Sequence, residues 1–294
     1  MTGSTLARRS LGRRLRKLRD AAGIRQAAAA RAAELSPQSI GRLEDGQATR
    51  ISGLHINALC NAYGVHDDER RALLDLAAEA REVQRTGGAW WRPNGEPAHA
   101  DVDHLAALEE TARRWTSFQN VTIPILLQTA DYRRACEWTL HPQDATADIE
   151  HRVETALQRR KRLHDNDFDI VVYLLQSVLH HPVGGPAVMA RQLAHLHDLT
   201  HLPNISIRVI PRSADSHIGL HLDRFVLLEF GNLPATGLPE PPIIHVEGHT
   251  GSLFLERDCD LTPYRDALAE LNRVALDEDR SRTLMLETAA DHQP

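Results

Sequence analysis

The chain predicts an all-α helix-turn-helix N-terminal domain followed by a larger α+β C-terminal domain with a small mixed sheet, and three observations carry that reading. Short amphipathic helical patterns follow one another from residue 8 to about residue 83. From Phe168 onward, short β-branched or aromatic runs alternate with helical stretches, and the segment from Gln84 to His99 is rich in glycine and proline. A length of 294 residues suits about two domains, each large enough to bury a core. The boundaries read as 8–66 for the first domain, 67–99 for a connecting helix and a Gly/Pro/Trp hinge, and 100–290 for the second.

In the first helix Leu11, Leu15, Leu18 and Ala22 form the buried stripe, which turns Arg13, Arg16 and Lys17 outward, and Gly23 stops it. Gln26 to about Glu34 is alanine-rich, with high helix propensity, and a turn follows at Glu34 and Leu35. Ser36 is a good N-cap with Pro37 at the first helical position, where a missing N–H costs nothing. In the helix that starts there, Ile40 and Leu43 face inward, leaving Gln38, Ser39 and Arg42 pointing out, and Gly46 ends it. Gln47 to Ser52 is a loop that carries Thr49 and Arg50. Leu54 to Tyr63 is a further helix with Leu54, Ala58 and Leu59 inward, closed by Gly64, and a longer one opened by acids runs from Asp67 to about Val83, packed through Leu73, Leu74, Leu76 and Ala77.

An outward face of amide, hydroxyl and guanidinium suits the major groove. There Gln bonds an adenine edge bidentately, Ser pairs with either base type, and Arg grips a phosphate or a guanine. Charge supports this. Residues 1–66 hold eleven Arg or Lys against four Asp or Glu, a net +7, whereas the remainder carries −13 of the total −6. A basic small domain tied to an acidic larger one is the electrostatic footprint of nucleic-acid binding by the N-terminal part. Arg25, Thr49 and Arg50 supply further backbone contacts, while an ordinary solvated helical hairpin is the plain alternative.

Beyond the hinge, where the adjacent Trp90 and Trp91 are expected to dock against the second domain, a helix is predicted from Val102 to Phe118. An apolar stretch, Thr122 to Tyr132, and helices near Tyr132–Leu140 and Ala147–Leu163 come next. Strands are predicted over Phe168–Leu175, Ile205–Ile210, Phe225–Phe230, Ile243–Val246 and Ser252–Leu255. Helices near Ala187–Thr200, Pro263–Ala275 and Glu278–Leu286 complete the domain.

The residues L-R-K-L-R, A-G-I, Gln26, S-P-Q-S-I, R-L-E, Gly46 and Y-G-V resemble the Cro/C1-type helix-turn-helix of the XRE regulator class. That resemblance implies that Gln26 and the helix start at Ser36 face DNA, and that the acid at Glu44 pairs with a first-helix arginine. Three positions depart from the pattern. Arg25 stands where Ser or Thr usually caps the second helix, at a cost of about 1 kcal/mol. Glu34 occupies the usual turn glycine, and a left-handed backbone there costs roughly 1–2 kcal/mol. Ala29 and Ala33 replace larger aliphatics and thin the core. The runs Q-T-A-D-Y, H-P-V-G-G, H-V-E-G-H-T-G-S-L-F-L-E and Y-R-D-A-L-A-E-L resemble the large C-terminal domain of WhiJ-like regulators of sporulating actinobacteria. This implies a homodimer on paired operator half-sites in double-stranded DNA, a role in developmental or secondary-metabolism control, and a small acidic antagonist protein or a small-molecule effector as partner.

No apolar run is long enough to span a membrane and the basic N-terminus has no apolar signal region, so a cytoplasmic, nucleoid-associated protein is expected. Cys60, Cys136 and Cys259 lack CxxC spacing and read as buried structural thiols rather than a disulfide or zinc framework. Seventeen histidines include the i, i+4 pairs His197/His201, His217/His221 and His245/His249, but no HExxH, and no metal or other cofactor is expected. There is no G-x-S-x-G elbow, P-loop or GxGxxG, so no catalytic residue is assigned. The chain is read as a non-enzymatic regulator; the alternative is a hydrolase-like or metal-dependent enzyme carrying a regulatory DNA-binding module.

Overall fold

A computed structural model describes residues 6–47, 49–86, 90–93, 105–248 and 251–292. The chain divides into two compact units: residues 1–111, 229–244 and 248–261 make the first, and residues 112–228, 245–247 and 262–294 the second. The fold class is the one expected, an all-α N-terminal region and an α+β remainder with strands of mixed sense.

Five helices build the N-terminal region: α1 (Leu6–Ala21), α2 (Gln26–Ala32), α3 (Pro37–Glu44), α4 (Gly53–Tyr63) and α5 (Asp67–Thr86). Their core gathers Leu11, Leu15, Ala29, Ala30, Ile40, Leu43, Ile56, Leu59 and Leu73, with Leu18 and Leu74 packed on its edge. Left-handed glycines end α1 at Gly23, α3 at Gly46 and α4 at Gly64, where a side chain would be strained. Two inward assignments fail. Ala22 lies past the end of α1 and is exposed. Leu54 is 80% exposed, because the buried stripe of α4 runs through Ile56, Leu59, Cys60 and Tyr63 and leaves the helix start in water.

The first unit also holds β1 (Trp90–Pro93) antiparallel to β7 (Gly251–Leu255), with Trp90 opposite Phe254 and Trp91 opposite Leu253. The expected hinge is therefore partly regular structure. Residues 84–86 still belong to α5 and residues 90–93 are a strand, while Gly87, Gly88, Gly95 and Pro97 lie outside the described residues.

In the second unit β2 (Ala112–Gln119), β3 (Asp169–Leu175) and β4 (Ile205–Ile210) run parallel, with Trp115 opposite Ile170 and Val172 opposite Ile207, and β5 (Phe225–Phe230) borders β2. Parallel neighbours need crossovers. These are α6 (Ala130–Leu140) and α7 (Thr146–Arg159) between β2 and β3, then α8 (Gln176–His180) and α9 (Pro186–Leu199) between β3 and β4. β6 (Ile243–Gly248), α10 (Asp258–Val274) and α11 (Glu278–Asp291) complete the chain, and α11 packs on α9 and β4.

The helix expected over Val102–Phe118 is corrected: among its described residues 105–109 are helical, and Ala112–Gln119 is the strand β2. Its residues from Trp115 to Gln119 are all buried, so the period-2 alternation that signals a strand is missing, as in strands covered on both faces. α8 had no counterpart in the sequence reading. α10 starts at Asp258, five residues before the expected Pro263, which sits inside the helix. The thiols are also partly corrected, since Cys60 is buried but Cys136 is half-buried and Cys259 exposed.

Candidate nucleic-acid interface

The α2–turn–α3 pair is assembled as its residues dictate. Arg25 occupies the N-cap of α2 with no side-chain cap bond. The turn places Glu34 at φ +55, the left-handed region that favours glycine, and among the described residues it is the non-glycine found there. The Leu35 N–H closes the turn on the Ala30 carbonyl at 2.8 Å. Ser36 caps α3 by accepting the Ser39 N–H at 3.0 Å, with Pro37 behind it. Ile40 and Leu43 are buried beneath, which leaves Pro37, Gln38 and Arg42 exposed and Ser39 half-buried. Gly12 sets how closely α1 approaches α3: a Cβ there would meet the Leu43 carbonyl oxygen at 2.4 Å.

Behind this face lies a buried charge cluster. Arg19 grips Glu44 with both arms, Nε to Oε1 at 2.6 Å and Nη2 to Oε2 at 2.9 Å, as the family resemblance implied. Hydrogen bonding to Glu44 holds the Arg19 guanidinium above its ordinary range. Arg16 reaches Glu44 at 3.4 Å and Asp45 at 3.1 Å. Gln26 donates its Nε2 to Glu44 Oε2 at 2.8 Å, so its amide is oriented by the cluster and lies against α3 beside Gly41.

The arginines expected to face outward from α1 are corrected. Arg16 is taken by Glu44 and Asp45, and Arg13 pairs with Glu240, whereas Lys17 stays largely exposed. Arg9 donates to Glu240 at 2.7 Å and to Glu256 at 2.9 Å, and Phe230 lies beneath both Arg9 and Arg13. Burial, with Arg9 beside it, pushes the Arg13 pKa down to about 10 against the pull of Glu240. Burial also raises the Glu256 carboxyl above its usual range, although Arg9 pulls it the other way.

The remaining sequence candidates are placed as follows. Arg25, Ser36 and Arg50 are exposed; Thr49 is half-buried and its hydroxyl donates to the Gln47 carbonyl at 3.0 Å. Sequence reasoning missed Asp45, whose carboxylate accepts the N–H groups of Ala235 and Thr236 at 3.3 and 2.9 Å. No local signal marks that pairing. Among the described residues no group of three or more His, Cys, Asp or Glu is placed to hold a metal, and no helix is long and apolar enough to cross a membrane.

A family model described as a helix-turn-helix domain matches residues 10–73, which suggests DNA binding, and one described as a domain of unknown function (DUF5753) matches residues 102–287, more than half of the chain. Comparison with curated proteins and with solved structures returned no match.

Proposed function

The chain belongs to the DUF5753 family, and because a helix-turn-helix domain precedes that region we propose that it is a sequence-specific transcriptional regulator that binds operator DNA as a homodimer. The observation that carries this reading is the solvent face of α3. It presents an amide, a hydroxyl and a guanidinium at Gln38, Ser39 and Arg42 over a fully buried core and a locked Arg19–Glu44 pair. Gln38 and Ser39 read base edges, with Gln26 beside them. Arg25, Arg42, Thr49 and Arg50 hold the sugar-phosphate backbone, and Ser36 and Pro37 bring the helix start to it. The C-terminal domain receives the signal, a small molecule or a small regulatory protein, and is not catalytic; the lack of a nucleophile elbow or phosphate-binding loop in its sequence supports this.

Binding titrations on a selected duplex and on random DNA test the assignment. Gln38→Ala is expected to cost about 1–3 kcal/mol on the selected duplex and little on random DNA, whereas Arg42→Ala weakens both and makes the salt slope shallower by about one. Equal losses on both DNAs for Gln38→Ala would remove Gln38 from base reading.

A further inference from the structure

The segment after β5 folds into a closed tip over residues 231–240. Its N–H of Glu240 bonds Gly231 O at 3.1 Å, Leu233 N–H bonds Leu238 O at 2.8 Å, and Gly237 N–H bonds Leu233 O at 2.8 Å, with Gly237 at φ +69. This tip lies on α3. Its Ala235 and Thr236 N–H groups hold the Asp45 carboxylate, and a Cβ placed on Gly41 would stand 3.2 Å from the Ala235 methyl. At its base Glu240 accepts from both Arg9 and Arg13.

Around the helix axis Asp45 follows Gln38 by seven residues, hence within about 20° of it, and Gly41 lies about 60° to one side. The tip therefore occupies the flank and the C-terminal end of the face that carries Gln38 and Arg42. An α-helix with its side chains is about 10–12 Å across and the major groove about 12 Å wide, so the helix alone fills the groove. A backbone loop seated on that helix within about one to two turns of Gln38 stands where a sugar-phosphate wall must pass. Glu240 also neutralises two α1 arginines that would otherwise add to the positive field around the interface.

We propose, resting on the DNA-binding reading above, that the 231–240 tip is an autoinhibitory clasp on α3, and that α3 enters the groove only when the tip leaves Gly41 and Asp45. DNA then binds only the open form, so the apparent affinity is reduced by the fraction of molecules that are open.

Two full-length variants test this. Ala235→Glu adds a second carboxylate beside that of Asp45, and their repulsion loosens the tip while α3 keeps its own residues. Its added negative charge alone would weaken DNA binding, so a gain in affinity reports release. Duplexes are selected from a randomised pool by the wild type and by the variant separately, and both proteins are titrated on both selections. A clasp that closes about nine molecules in ten predicts about tenfold tighter binding by Ala235→Glu. In the opposite direction, Gly41→Cys with Ala235→Cys, in a Cys259→Ser background, places two Cβ atoms a few tenths of an ångström inside the usual disulfide range, which a small shift accommodates.

With the bridge verified by peptide mass, the oxidised protein is expected to lose DNA binding and reductant to restore it. Should the bridge not form, Ala235→Glu decides. Equal affinity of the oxidised and reduced forms, or unchanged or weaker binding by a folded Ala235→Glu, overturns the clasp while leaving the DNA reading intact. Absence of binding by every form, the reduced one included, overturns both.

Discussion

Glu44 joins the two helices of the motif to α1 through a carboxylate that water hardly reaches, its side chain 1% exposed against Arg19. Removing one member of a buried pair leaves the other charged and unsolvated, so Glu44→Ala is expected to lower stability by about 3–5 kcal/mol, and the double variant with Arg19→Ala by less than the two single losses together. Urea titrations followed by circular dichroism measure both, and additive losses would show that the pair is not coupled. A second buried group gives a pH signature. His245, on β6, has its pKa pushed down to about 3 by burial first and by the Arg159 and Arg224 guanidiniums next. The unfolded value is near 6.5, so between the two the unfolded chain binds more protons. Stability is then full above about pH 6.5 and is lost as pH falls toward 3, by about 2 kcal/mol between pH 7 and 5. His245→Gln should flatten that part of the urea-midpoint profile, and an unchanged slope would count against it. The sequence made Glu44 legible, since its partner lies on a neighbouring helix of a recurring motif. Asp45 was not legible, because the N–H groups that hold it lie about 190 residues further along.

At the level of elements, two departures from good helix chemistry persist at the heart of the motif. Arg25 caps α2 without a side-chain bond, and Glu34 takes a left-handed turn that glycine would occupy without steric cost. Neither side chain is part of the core, so substitution reads the local term alone. Arg25→Ser and Glu34→Gly are each expected to raise stability by about 1 kcal/mol. A fall in the urea midpoint for Glu34→Gly would mean that its side chain makes a contact worth more than the strain. These elements were legible because caps, turn residues and 3.6-residue periodicity are local. β2 was not, since Arg113, Arg114, Trp115 and Phe118 fit either a helix or a strand, and what decided was burial between β3 and β5. The outward Leu54 was misread for a related reason: helical spacing defines a stripe, but which of two adjacent stripes is buried depends on the partner surface.

For the whole molecule, the division of charge agrees with the reading carried by α3. The +7 of residues 1–66 attracts DNA and the −13 of the rest repels it, so salt must weaken binding and the acidic part must be held clear of phosphates when DNA is bound. A single helix-turn-helix covers little DNA. Such a module gains affinity and length of recognised sequence by pairing, and in the proposed homodimer the two copies of α3 are expected to reach successive major grooves about one helical turn, or 34 Å, apart. The larger acidic domain is expected to supply most of the surface between copies, because residues 10–73 already build their own core and carry the face proposed for DNA. Sedimentation at micromolar concentration should therefore give twice the 32.8 kDa chain mass. Footprinting on a selected duplex should give two protected half-sites on one face of the helix. Inserting half a helical turn between them should weaken binding strongly, and a full turn less so. A monomeric mass together with protection of a single half-site would leave the chain acting alone, with its sequence discrimination limited to what one α3 can read.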